Sequence, residues 1–309
     1  MTNLTDALPA STPAARARSA PATVRPFYWS VRRELWENRS LYIAPLVVAV
    51  LVLFGVFVGA VRMPAHTHMD HIDASRSNQA AVAAIPYAAA AFSILAIGVI
   101  VGAFYCLGAL HNERRDRSIL FWKSMPVSDV TTVASKAATV HLVLPAILFV
   151  VILVAQILMM AIDFAVLVPT GLKVAGLWAN WPLLRMGVVL AWALIAMSIW
   201  YAPLTGWLLM VSAWAKRAPF LWAALPPLGL ILVELFSFGT GHVAHLLGRR
   251  LSGGFDTAFS SVGPHASMVD IDQIDVAGFF SSFEVWGGLI VGLALLAAAV
   301  WLRRTRDPS

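Results

Sequence analysis

The sequence predicts an all-α integral membrane protein with six spanning helices, and three observations carry that reading. Sixty per cent of the 309 residues are hydrophobic and only 12% are charged, against roughly 25% in an ordinary soluble domain. Six apolar segments come close to or exceed the ~20 residues a helix needs to cross a bilayer. The basic residues are divided unequally between the loops on alternate sides of those segments. So few charges cannot make a water-soluble surface when twelve Trp and sixteen Phe must also be placed. A mean hydropathy of +0.78 agrees. The single cysteine, Cys106, sits in an apolar run and excludes a disulfide framework. The net charge of +6 would suggest nucleic acid in a soluble protein; here it reports orientation.

Residues 1–24 are rich in Ala, Ser, Thr and Pro and cannot bury a core, so they read as a disordered tail. They contain no apolar h-region of a secretory signal. Residues 25–40 form an amphipathic segment, residues 41–304 a six-helix transmembrane domain, and residues 305–309 a short tail. The spans are expected at 41–61, 80–110, 137–162, 186–215, 218–238 and 285–302. None shows the alternation of a barrel strand. The second, at 31 residues, exceeds one crossing and is expected to tilt or project. Pro226 and Pro227 are expected to bend the fifth.

With both termini on the cytoplasmic side, 16 basic residues fall inside and 6 outside. The positive-inside rule favours this orientation, in the cytoplasmic membrane. The long inner loop between the second and third spans alone holds five of the sixteen.

Two segments carry more information. On a helix over residues 25–40, Phe27, Tyr28, Val31 and Leu35 share one face, with Arg33 and Glu37 largely opposite and Glu34 at the boundary. Trp29 and Trp36 form a second aromatic edge. Together with Arg32, these residues suit a helix lying in the membrane interface and contacting lipid. The inner loop runs Glu113, Arg114, Arg115, Asp116, Arg117, then the apolar cluster Ile119 to Trp122, then Ser124, Met125, Pro126, Val127 and Ser128. Pro126 disfavours helix at the residue before it. Ser128 is a good N-cap for a helix leading through Lys136 into the third span.

That loop resembles the permease subunits of type-2 ATP-binding-cassette transporters, in which an acid and an arginine follow the second span. There a short coupling helix and an S-x-P-V-S element meet the cytosolic ATPase. The six spans, the amphipathic N-terminal helix and the long final outer loop are also similar, so the resemblance covers roughly residues 25–304. It implies a transport subunit, not an enzyme, acting as an exporter. Glu113 to Arg117 would face a separate ATPase, with Ser124 to Ser128 at the following turn. It also implies a second permease copy and short outer helices before the last span. The chain has no G-x-x-x-x-G-K-[ST] phosphate loop, so no cofactor is expected on it and ATP with magnesium would sit on the partner chain.

Other signals are weaker. His66, His68 and His71 have a spacing that could hold copper or zinc, but a polar loop that tolerates histidine explains them as well. Glu234 lies near the outer end of the fifth span and is a pathway or gate candidate, as ionisable residues in spans are. Asp163 is expected among headgroups, and Cys106, His141 and Gln156 in packing or interhelical contacts. No H-E-x-x-H or G-x-S-x-G motif occurs. An ion-coupled carrier or channel using Glu234, Asp163 or the histidines, or a membrane assembly factor, stand as the alternatives.

Overall fold

The computed structural model describes residues 24–62, 76–116, 127–167, 183–260 and 271–305. Among them the chain is helical, with one isolated bridge between Phe259 and Ile274 in place of any sheet. In chain order the helices are α1 (Val24–Glu37), α2 (Ser40–Arg62), α3 (Arg76–Ala109), α4 (His111–Arg115) and α5 (Asp129–Ala138). A π turn, Thr139–Val143, joins α5 to α6 (Leu144–Leu167). Then follow α7 (Leu183–Trp200), α8 (Ala202–Trp214), α9 (Pro219–Phe238), α10 (His242–Ser252) and α11 (Gly254–Ala258). A 3-10 turn at Ile271–Gln273 precedes α12 (Val276–Ser281) and α13 (Phe283–Thr305).

Among the described residues, five helical stretches are long and apolar enough to cross a membrane, or six where the bent pair α7–α8 is counted as one span. This is a multi-pass membrane bundle. Its core joins α2, α3, α6, α7 and α8 through Leu41, Ile94, Cys106, Leu148, Ile152, Leu190 and Leu209. Asp163 accepts a 2.7 Å bond from the Tyr87 hydroxyl of α3.

The fourth span departs from the single helix expected over 186–215. It bends by 50° at Tyr201, between α7 and α8. Pro203 is the cause: it has no N–H for the carbonyl four residues back, and it disfavours helix at Ala202. In the fifth span Pro226 and Pro227 lie inside one continuous helix, α9. Pro227 leaves the Ala223 carbonyl without its helical donor, and the Trp207 indole N–H of α8 supplies one at 3.1 Å. The helix stays continuous, with that carbonyl's donor supplied from α8.

Small residues let α8 and α13 approach closely. A Cβ on Gly206 would lie 2.8 Å from the Gly292 carbonyl oxygen, and one on Gly292 would lie 2.8 Å from the Ala202 carbonyl group. α9 has no buried residue. Besides Trp207, an edge-on contact between Trp214 and Trp222 holds it at 4.6 Å.

Candidate functional site

The helix ends that gather on the α1 side enclose a cluster of buried charges. Glu34 of α1, Glu113 of α4, Lys136 of α5 and Arg303 of α13 are each less than a tenth exposed. Lys136 donates to Glu34 at 2.7 Å and lies 2.9 Å from Glu113. Arg303 donates to the other Glu113 oxygen at 2.6 Å and to Asp129 at 2.9 Å. The Tyr105 hydroxyl of α3 donates to the second Glu34 oxygen at 2.8 Å. Arg33 stands 3.7 Å from Glu113 while pairing with Glu37 at 2.6 Å. Buried ions survive only when partners offset their lost hydration. Here each carboxylate meets cations from other helices, so α1, the end of the second span, the start of the third and the end of the sixth are fastened at one point.

This placement corrects the expectation that Glu113 and Arg114 face outward toward a partner. Glu113 points into the bundle. The Arg114 guanidinium donates to the carbonyls of Ser212 at 2.6 Å and Ala215 at 2.9 Å, capping the free carbonyls that end α8. The Ser212 hydroxyl in turn accepts from the backbone N–H groups of Leu110 and His111, both at 3.0 Å. The physical reason is helix geometry. α4 is one turn long and packed against α8, so residues 113 and 114 cannot both reach solvent. Arg115 and Asp116 are the exposed members and pair with each other at 3.2 Å. Arg117, Ser124, Met125 and Pro126 lie outside the described residues. Val127 is described, and Ser128 caps α5 by accepting from the Thr131 N–H.

α1 also differs from its expected orientation. Tyr28, Trp29, Arg32 and Trp36 form the exposed face, with the Arg32 guanidinium 5.1 Å and 5.4 Å from the two indole rings. Tyr28 therefore does not share the inward side with Val31 and Leu35. The reason is Glu34: burying its carboxylate against Lys136 rotates the helix about that contact.

On the opposite side, Glu234 binds the start of the next helix. Its carboxylate accepts from the Thr240 hydroxyl at 2.8 Å and from the N–H groups of His242 and Val243 at 2.7 Å each. That satisfies the first turn of α10. α10 rests on the bend of the fourth span. The Trp200 indole donates to the Arg250 carbonyl at 2.9 Å, the Tyr201 hydroxyl to the Leu251 carbonyl at 2.9 Å, and the Arg250 guanidinium stacks 4.4 Å from the Trp200 ring. Burial lowers the Arg250 guanidinium from its ordinary range, and Glu284 opposes that shift. Arg249 pairs with Glu284 at 2.7 Å. No metal-ligating cluster occurs among the described residues; His66, His68 and His71 lie outside them.

The roles of Arg303 and Tyr105 were not visible in the sequence. An arginine at the end of an apolar span reads as a snorkelling anchor. Comparison with protein-family models, with curated proteins and with solved structures finds no match.

Proposed function

We propose that the chain is the membrane-spanning subunit of an ATP-driven exporter of the type-2 ATP-binding-cassette kind. It sits in the cytoplasmic membrane with both termini inside. A second permease copy and a separate ATPase, which binds ATP and magnesium, complete the transporter. The observation that carries this reading is the position of Glu113. It is the first acid of the loop whose sequence resembles the coupling element, and it is also where α1, α4, α5 and α13 are joined. The described residues that flank the loop are Asp116, at the end of α4, and Val127, just before α5. A displacement of the loop by an ATPase would therefore be felt by four helices at once, and would rock them about the ion cluster. Arg115 and Asp116 offer the exposed charge for first contact. The commitment of Glu234 to an N-cap weakens the ion-coupled alternative.

The test is purification of the tagged chain from its native membrane, with mass spectrometry of what accompanies it. The expected result is a stoichiometric second chain with a phosphate loop and MgATP hydrolysis by the complex. Hydrolysis should vanish when the phosphate-loop Lys of that chain is replaced by Ala, and should be uncoupled from transport by charge reversal at Arg115 and Asp116. A chain that purifies without an ATPase and supports flux in ATP-free vesicles would overturn the reading.

A further inference from the structure

The third and fourth spans meet at a histidine whose surroundings are built from two helix defects. Pro145 has no N–H to give the His141 carbonyl four residues back. The π turn at Thr139–Val143 accommodates this, and the Ser198 hydroxyl of α7 donates to the His141 carbonyl at 2.7 Å. The His141 ring then lies across the bend of the fourth span. Its Nδ1 is 3.2 Å from the Ser198 hydroxyl, before the bend, and its Nε2 is 2.7 Å from the Thr205 hydroxyl, after it. Thr205 is within reach of two carbonyls at the bend itself, Ala202 at 3.0 Å and Tyr201 at 3.3 Å.

Each hydroxyl has one hydrogen, which fixes what the ring can be. Ser198 gives its hydrogen to the His141 carbonyl and so presents a lone pair to Nδ1. A neutral ring protonated at Nδ1 needs a donor at Nε2, and only Thr205 is placed to give one. Its hydrogen then leaves the bend carbonyls. When Nε2 takes up a proton, it becomes a donor, and Thr205 must accept from it and return its own hydrogen to Ala202 or Tyr201. In both states the ring nitrogens are hydrogen-bonded; the states differ in whether the Thr205 hydroxyl adds a donor to the Ala202 and Tyr201 carbonyls, the second of which also accepts from the Thr205 N–H at 3.0 Å.

We propose that His141 is a proton-binding site inside the bundle, and that its occupancy sets the bend of the fourth span. This goes beyond the transport reading and does not depend on an ATPase. The outer helix α10 rides on Trp200 and Tyr201 at the same bend, so the proton would be read out on the opposite face as well. The neighbouring elements bring few competing charges. α5 carries Asp129 and Lys136 and α1 carries Glu34, all engaged in the ion cluster; the other charged α1 residues are Arg25, Arg32, Arg33 and Glu37. Tyr28 lies on the exposed face of α1. Tyr105 of α3 is bonded to Glu34, and Cys106 of α3 is buried. α8 has no titratable side chain, and α7 has Arg185, ~20 Å from Ser198 along the helix.

The experiment places spin labels at Val188→Cys on α7 and Trp301→Cys on α13, both exposed sites, in a Cys106→Ala background in lipid nanodiscs. Val188 is ~20 Å from the bend, so a change of about 10° there moves the label by ~3–4 Å. The expected result is a shift of that order between about pH 5 and 8, where histidine changes charge. It should be absent in His141→Gln and in Thr205→Val, which keeps the ring and nearly the same volume. No pH-dependent shift with His141 present, or an equal shift in both variants, would overturn the proposal.

Discussion

The Arg303 guanidinium lies 2.6 Å from the Glu113 carboxylate, although 190 residues separate them. Glu113 also faces Lys136, so it is one anion between two buried cations. Removing it leaves Lys136 with Glu34 alone and Arg303 with Asp129 alone. Glu113→Ala should therefore cost about 3–5 kcal/mol, the range for breaking a buried pair by deleting one partner. Arg303→Ala should cost less, because Lys136 still faces Glu113. The double variant should cost less than the sum of the two, since the contact between Glu113 and Arg303 is lost only once. Denaturant unfolding of the purified protein in detergent measures all three. Additive losses would show that the two residues act independently.

Arg114 and Arg115 are adjacent and should behave oppositely. Arg114 holds the last carbonyls of α8, whereas Arg115 is exposed and, among the described residues, paired with its neighbour Asp116. Arg114→Ala should lower stability by about 1–3 kcal/mol, the cost of leaving buried acceptors unmet. Arg115→Ala should stay within about 0.5 kcal/mol of the parent. The same unfolding measurement checks both, and similar losses at the two positions would contradict the capping role.

Much of this fold was legible because its spans are decided locally. An apolar run of sufficient length becomes a helix in lipid wherever it stands, since each backbone group must find a partner within it. Ser128 as an N-cap was equally local. What the sequence hid is pairing across long separations. Glu34, Tyr105, Glu113, Lys136 and Arg303 come from five helices, and each alone reads as interfacial charge or packing. Glu113 was singled out through its loop, but as an outward residue, because a resemblance in sequence does not say which way a side chain points on a one-turn helix. The bend had a signal in Pro203 that an uninterrupted apolar run obscures. Pro226 and Pro227 show the converse: a proline marks a freed carbonyl, and a donor from elsewhere, here Trp207, can satisfy it while the helix continues.

Glu234 offers a test of its capping contact with α10. Its two oxygens accept from Thr240, His242 and Val243. Glu234→Ala removes these contacts, and the lost cap should cost α10 about 1 kcal/mol. Amide exchange in α10 should then quicken about fivefold, the same energy expressed as an opening constant, while α2, α3 and α6 remain as protected as before. Exchange that is unchanged in α10, or faster throughout the bundle, would remove the capping explanation.

Two glycines in neighbouring spans should respond with opposite signs to the same change. At Gly292 an added Cβ would lie 2.8 Å from the Ala202 carbonyl carbon and oxygen and 3.1 Å from the Pro203 nitrogen. These are backbone atoms at the bend of the fourth span and cannot rotate away. Gly292→Ala must therefore push α13 from α8 or alter the bend, and should destabilise by about 1–3 kcal/mol as overpacking does. Gly229 lies on α9, where an added Cβ meets nothing within 4 Å. Gly229→Ala removes backbone freedom from the unfolded chain without creating a clash, and should be neutral or stabilise by up to about 1 kcal/mol. Unfolding midpoints of the two variants compared with the parent decide the matter. A tolerated alanine at 292 would mean that α8 and α13 are not in close contact there, and the bend would lose its support from the sixth span.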